Sequence, residues 1–379
     1  MKINIEHKAC SGCTACANIC PHNAITLQKN EKGFQYPVID PNKCTDCGLC
    51  GTVCQCAETE LKQSKMLRTF AVKHPGDMVR SSSQSGGLFY GLAEWVIKQG
   101  GVCYGAAVDD NLAVKQIRVT TISDLKRLQG SKYVQSDVGG SFVEVEKDLR
   151  AGNVVLYSGT SCIIDGLYRY IRCKKLDDSK LYTCDLICHG VMTPLMYEEN
   201  LKRIENKEQK KIAAVNFRDK KFGWHSHIET YTFEDNTTQS EAYYAELFYT
   251  HIALRECCYR CKYTDFYKKP ADITMADFWG IEKILPDWED DNKGISLAAI
   301  HSEKGLALLK ETSLDFCEVS PESVLDKNRK GAIRKPRIYD PFWEDYFQKG
   351  YEYSLKKYTV YGGIPFRIKR KIMMFFHKW

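Results

Sequence analysis

Eighteen cysteines stand in this 379-residue chain, and eight of them are spaced for iron–sulfur chemistry. Cys10, Cys13, Cys16 and Cys20 follow the pattern C-x2-C-x2-C-x3-C, with Pro21 next. Cys44, Cys47, Cys50 and Cys54 repeat it thirty-four residues later. A cubane needs four thiolates around one core, three from a tight loop and the fourth from the other run. The spacing therefore assigns Cys10, Cys13, Cys16 and Cys54 to one 4Fe–4S cluster. Cys44, Cys47, Cys50 and Cys20 take a second. Zinc knuckles use two separated C-x2-C pairs and leave the third and fourth cysteine of each run unexplained. A disulfide scaffold fits poorly with so many thiols and no export signal in residues 1–9.

The elements that must position further chemistry begin after this module. Residues 61–75 read as a polar connector. Residues 81–87, a Ser/Gly-rich loop, precede an apolar helical stretch at 88–97 that stops at Gly100 and Gly101. Residues 102–108 then read as a buried strand. A second such unit follows: a strand at 153–157, a small-residue loop at 158–161, and a helix from Cys162. Loops of this kind present backbone N–H groups and a positive dipole end, which suits a phosphate, although most are ordinary turns. Residues 181–188 read as another buried strand, and residues 212–233 are β-rich. The expected fold is an α+β ferredoxin-like N-terminal module followed by an α/β core with a largely parallel or mixed sheet. Its expected divisions are 1–60, 61–155, 156–320 and a C-terminal extension at 321–379. Ligands in such sheets sit at the carboxyl ends of strands, where residues 158–162 and 188–190 fall.

Residues 1–60 resemble a bacterial two-cluster ferredoxin. The whole resembles the family of coenzyme F-420 hydrogenase/dehydrogenase beta subunits. The match rests on an ordered set of segments: Ser85-Gly86-Gly87, residues 130–136 (GSKYVQS), residues 158–162 (SGTSC), residues 185–190 (DLICHG), residues 217–220 (FRDK) with Gly223-Trp224, Cys258-x2-Cys261, and residues 277–280 (DFWG). It covers about residues 1–310. The form with a fused ferredoxin resembles bacterial members found beside polysaccharide-biosynthesis genes. Ser161 stands where the family usually has proline.

The resemblance implies a flavin, FAD, in the core and a third 4Fe–4S cluster on core cysteines. Ser85, Gly86 and Gly87 would approach the FAD pyrophosphate. Ser131, Lys132, Tyr133 and Ser136 would contact the flavin, with Lys132 offsetting its negative charge. Ser158, Gly159 and Thr160 would complete the cradle. Read without the resemblance, Lys132 is an ordinary solvated lysine. Cys162, Cys188, Cys258 and Cys261 are the expected ligands of the third cluster. Zinc on Cys184, Cys188, His189, Cys258 and Cys261, or no metal at all, are the rivals. Cys162, at a helix start, could instead be a redox thiol of lowered pKa. His189 is a candidate to protonate substrate, or else a structural histidine. Arg218 and Lys220 suit an acidic substrate, although an ion pair with Asp219 is simpler. Trp224, Trp279 and the tyrosines read as core.

The net charge of +6 is concentrated at one end. Residues 356–379 hold seven Lys or Arg and no acid, leaving the body near neutral. A general nucleic-acid binder would spread its basic charge over a folded face, so nucleic acid is not an expected partner. Ile368, Ile372, Phe375 and Trp379 share one helical face, with Arg370, Lys371 and Lys378 off it. Residues 364–379 therefore suit either peripheral contact with an anionic membrane or docking on the body. The expected place is the cytoplasm, or its membrane face. Three functional readings are open: an enzyme passing electrons between clusters and FAD to or from an organic substrate or deazaflavin-like cofactor; a non-catalytic electron-transfer subunit serving a partner protein; and an assembly or sensing protein.

Overall fold

The structure, a computed structural model, describes residues 8–56, 64–288, 291–324 and 333–362. Its centre is an eight-stranded mixed sheet. The strand order is Asp315–Val319, Arg68–Lys73, Ser296–Ile300, Ile273–Asp277, Leu181–Leu186, Val155–Ser158, Val102–Val108 and Val114–Val119. The four strands from Ile273–Asp277 to Val102–Val108 pair in parallel, and the pairings on either side are antiparallel. Successive side chains of a strand point to opposite faces. Val102, Tyr104, Val155 and Tyr157 enter one apolar cluster, and Cys103 and Leu156 enter another. The Leu88–Lys98 helix buries Leu88, Leu92, Ala93 and Val96 on the second face. The Ser161–Cys173 helix covers the first.

Residues 61–75 are not a simple connector. They contain the Arg68–Lys73 strand, inside the sheet between Ser296–Ile300 and Asp315–Val319. Thr69, Phe70, Ala71 and Val72 are buried there. Only the three-residue apolar run Phe70-Ala71-Val72 signals the strand, and the charged residues at its ends mask it. The C-terminal extension also carries a helix, Tyr339–Tyr358, interrupted at Gly350. Phe342, Trp343, Tyr351 and Leu355 from it enter a further core cluster. The basic segment 364–379, where membrane contact was expected, lies outside the described residues.

In the N-terminal module an antiparallel hairpin, Ile25–Lys29 with Gln35–Ile39, accompanies two short helices, Ala15–Ile19 and Leu49–Thr52. The module is packed into the core. Ala15, Ile19 and Val53 share a cluster with Ile163, Leu167 and Ile171 of the Ser161–Cys173 helix. Gly166 on that helix permits the contact, because a Cβ there would lie 3.0 Å from Cys13 Sγ. Among the described residues no helix is long and apolar enough to cross a membrane.

Candidate functional site

Three sets of cysteines gather in the fold. In the first, Cys13 and Cys16 lie within electrostatic reach of Cys10 and Cys54. In the second, Cys20, Cys44, Cys47 and Cys50 line one small cavity, with Cys47 exposed. In the third, Cys162 interacts with Cys188, Cys258 and Cys261, and all four line a cavity of about 480 Å³. These are the groupings that the spacing and the resemblance assign. Burial pushes the Cys13 thiol up to about 11 and the Cys188 thiol up to about 12. Cys162 is likewise raised well above its ordinary value by burial, so a free redox thiol of lowered pKa is not what the fold builds there. A desolvated group of four thiols becomes thiolate only against a cation, such as a metal centre.

Among the described residues no group of three His, Cys, Asp or Glu is drawn in around a single metal ion, at the third set or at the other two. Cys184, a proposed zinc ligand, is fully buried in the apolar cluster beneath the Leu88–Lys98 helix.

A second cavity, of about 440 Å³, shares Cys162 and Cys188 with the third set. Ser85, Gly87, Ser131, Lys132, Tyr133, Ser136, Ser158, Gly159, Thr160 and His189 all line it. Gly86 does not. Its missing side chain serves packing, since a Cβ there would lie 2.4 Å from Val72 O. Two helices begin at the cleft, with Gly87 and Thr160 as N-caps, and neither end has a side-chain cap. The first N–H groups of both helices therefore lack an intrahelical partner. Gln84 Nε2 and Gln116 Oε1, from two further lining residues, are buried and have no hydrogen-bond partner. Lys132 Nζ donates to Gln129 O at 2.8 Å, and desolvation pulls its pKa down to about 7. Lys132 is thus a cleft residue rather than a solvated one. Uncapped helix ends, orphaned amide atoms and a desolvated lysine fit the phosphates and polar ring edge of a dinucleotide.

The cleft wall also holds residues that the sequence did not single out as a site. His227, Tyr249, Asp277 and Trp279 line it together with Tyr133. Tyr249 OH lies 3.1 Å from His227 Nδ1 and donates to Tyr133 OH at 3.4 Å. Arg218 is buried and pairs with Asp277 at 2.7 Å, not with its neighbour Asp219. Asp219 instead pairs with Lys221 at 3.2 Å. Trp224 Nε1 donates to the other Asp277 oxygen, and its ring stacks on Trp279 at 4.6 Å. Lys220 Nζ donates to Arg80 O and Ser85 O, fastening the 217–220 segment to the Ser/Gly loop. Arg218 and Lys220 are therefore structural partners here, not open sites for an acidic substrate.

Contacts also join the first set to the third. Gln55, beside Cys54, donates to Cys162 O at 3.1 Å and accepts from Tyr263 OH at 2.6 Å. Tyr263 lies within electrostatic reach of both Cys162 and Cys13.

Comparison with known proteins places two families on the chain. Residues 152–323 match the C-terminal region of the beta subunit of coenzyme F420 hydrogenase/dehydrogenase, and residues 9–57 match a 4Fe-4S dicluster domain. One of the subunits of the F(420)H(2) dehydrogenase of Methanosarcina mazei is 25% identical over 149 residues, 35% of this chain and 41% of that one. The chain thus aligns with about two fifths of that relative's length. A ferredoxin-like protein in the nif region of Sinorhizobium fredii is 46% identical over 57 residues, 15% of this chain and 81% of that one. A chain of the F420-reducing NiFe hydrogenase complex from Methanosarcina barkeri superposes with a TM-score of 0.49 at 16% identity, over 70% of this chain and 87% of that one.

Proposed function

In a chain whose residues 152–323 belong to the family of coenzyme F420 hydrogenase/dehydrogenase beta subunits, behind a 4Fe-4S dicluster domain at residues 9–57, we propose an iron–sulfur flavoprotein oxidoreductase. The observation that carries the reading is a shared wall: Cys162 and Cys188 line both the third cysteine cavity and the cleft. Single electrons would pass from the exposed Cys20/Cys44/Cys47/Cys50 site to the Cys10/Cys13/Cys16/Cys54 site, then to the third. FAD, when bound in the cleft, supplies the exchange between single-electron and paired-electron chemistry.

This chain's own residues would do the rest. The N-termini of the Leu88–Lys98 and Ser161–Cys173 helices, with Ser85, Gly87, Ser158, Gly159 and Thr160, would hold the phosphates. Ser131, Lys132, Tyr133 and Ser136 would hold the polar edge of the ring, with protonated Lys132 stabilising negative charge there. Leu186, Ile187 and Met275 supply apolar wall that limits water. His227, hydrogen-bonded to Tyr249, joins His189 as a candidate to hold or move a proton at the substrate end. The substrate class is a planar organic molecule, deazaflavin-like in shape, lying against Trp279 and Tyr249. The test is anaerobic titration with a one-electron donor: bleaching of a flavin band together with the iron–sulfur absorbance supports the reading, and bleaching of iron–sulfur absorbance alone rejects it.

A second reading is a non-catalytic subunit that delivers electrons to a redox partner protein. It is favoured by the Methanosarcina mazei relative, itself one subunit of a dehydrogenase. Turnover of a deazaflavin by the isolated chain would reject it.

A further inference from the structure

Arg255 is completely buried, and its side chain has no carboxylate among its hydrogen-bond partners. Nε donates to Cys10 O at 2.7 Å, and Nη1 donates to Gln135 Oε1 at 2.9 Å. Nη2 donates to Gln35 O at 2.8 Å and points to Cys10 Sγ at 3.7 Å. The guanidinium lies over the ring of Tyr36, 4.2 Å from its centroid. The adjacent acid, Glu256, bonds Lys335 instead. Room for the guanidinium is kept by Gly12, within the ligand loop, where a Cβ would lie 3.1 Å from Arg255 Cζ. Arg255 also acts electrostatically on Cys258 of the third set. A buried guanidinium without an anion is costly, because few solvent dipoles remain to compensate it. The anionic charge within its reach is that of the thiolate-ligated cluster on Cys10.

We propose that Arg255 raises the reduction potential of the inner cluster, held by Cys10, Cys13, Cys16 and Cys54, above that of the outer one. The inference rests on the cluster assignment above. Reduction adds one negative charge to a cluster, and a cation hydrogen-bonded to a ligand sulfur stabilises the reduced state. Among the described residues, the lining of the outer site's cavity includes Asp46 and His22 and no Lys or Arg. One electron leaving the outer cluster and arriving at the inner one therefore moves downhill, toward the core. Arg255 is a tuning and positioning residue, supplied by the core to the ferredoxin module.

The test is a redox titration followed by electron paramagnetic resonance, with iron counted per chain, on the full-length protein and two variants. In Arg255→Met the inner cluster's potential should shift to more negative values, the third cluster's by less, and the outer cluster's not at all. Gln135→Glu keeps the side chain's length and its acceptor for Arg255, gives up the 2.9 Å donation to Ser11 O, sets a carboxylate against the guanidinium, and should shift the same signal in the same direction by a smaller amount. Unshifted potentials in either variant with full iron would overturn the proposal. If Arg255→Met loses iron, the Gln135→Glu result decides. Wild-type protein without iron would reject the cluster assignment itself, a separate outcome.

Discussion

Lys132 is the residue on which the proposed flavin binding turns most directly. Its ammonium is charged below its pKa of about 7 and neutral above it. An anionic ligand needs the charged form, so affinity for FAD should be full below that pH. It should fall as pH rises through it, by at most about tenfold per pH unit for one linked proton. Calorimetric titration of flavin-free protein across this range checks the sign. Lys132→Met should weaken FAD by about 10- to 100-fold, the worth of a charge-assisted hydrogen bond, and should flatten that pH dependence. Unchanged affinity in the variant would remove Lys132 from the site. The dicluster domain was legible at this scale because its cysteines recur at short fixed intervals. The substrate end was not. His227, Tyr249, Asp277 and Trp279 come from distant segments, and only the fold brings them to one wall with Tyr133. Nor does anything near Arg255 in sequence mark it as a neighbour of Cys10.

The Ser161–Cys173 helix couples two cysteine sets. Cys162 and Gly166 are four residues apart and so share a face. The first belongs to the third set, and the second lets Cys13 approach. Gly166→Val should therefore push the ferredoxin module off the helix. Overpacking of this kind costs about 1–3 kcal/mol, and the expected readout is loss of about 4 Fe, the inner cluster. Full iron retention with wild-type thermal stability would contradict the close contact. A comparable substitution, Gly86→Ala, meets backbone at Val72 and should destabilise the sheet before it affects any ligand. Elements with a clear period or a glycine stop were readable: the Leu88–Lys98 helix and the Val102–Val108 strand fall where the pattern puts them. The Arg68–Lys73 strand was not, because its short apolar centre sits between charged ends. It is stabilised by pairing with strands more than two hundred residues away in sequence.

At the scale of the molecule, the sites follow one order: an outer cysteine cavity at the surface, an inner set packed on the core, a third set, and a cleft behind it. Gln55, Tyr263 and Arg255 fill the spaces between these sites. The sheet is mixed rather than mainly parallel because added strands at both edges run antiparallel to its centre. That wrapping is a property of the whole chain, which no single segment announces. The central claim is that the core cysteines carry a cluster beside a flavin. It is tested most directly by purifying the protein anaerobically and counting iron, sulfide and flavin per chain. The account predicts about 12 Fe, about 12 sulfides and one FAD, from three cubanes and one occupied cleft. About 8 Fe with no flavin would contradict it.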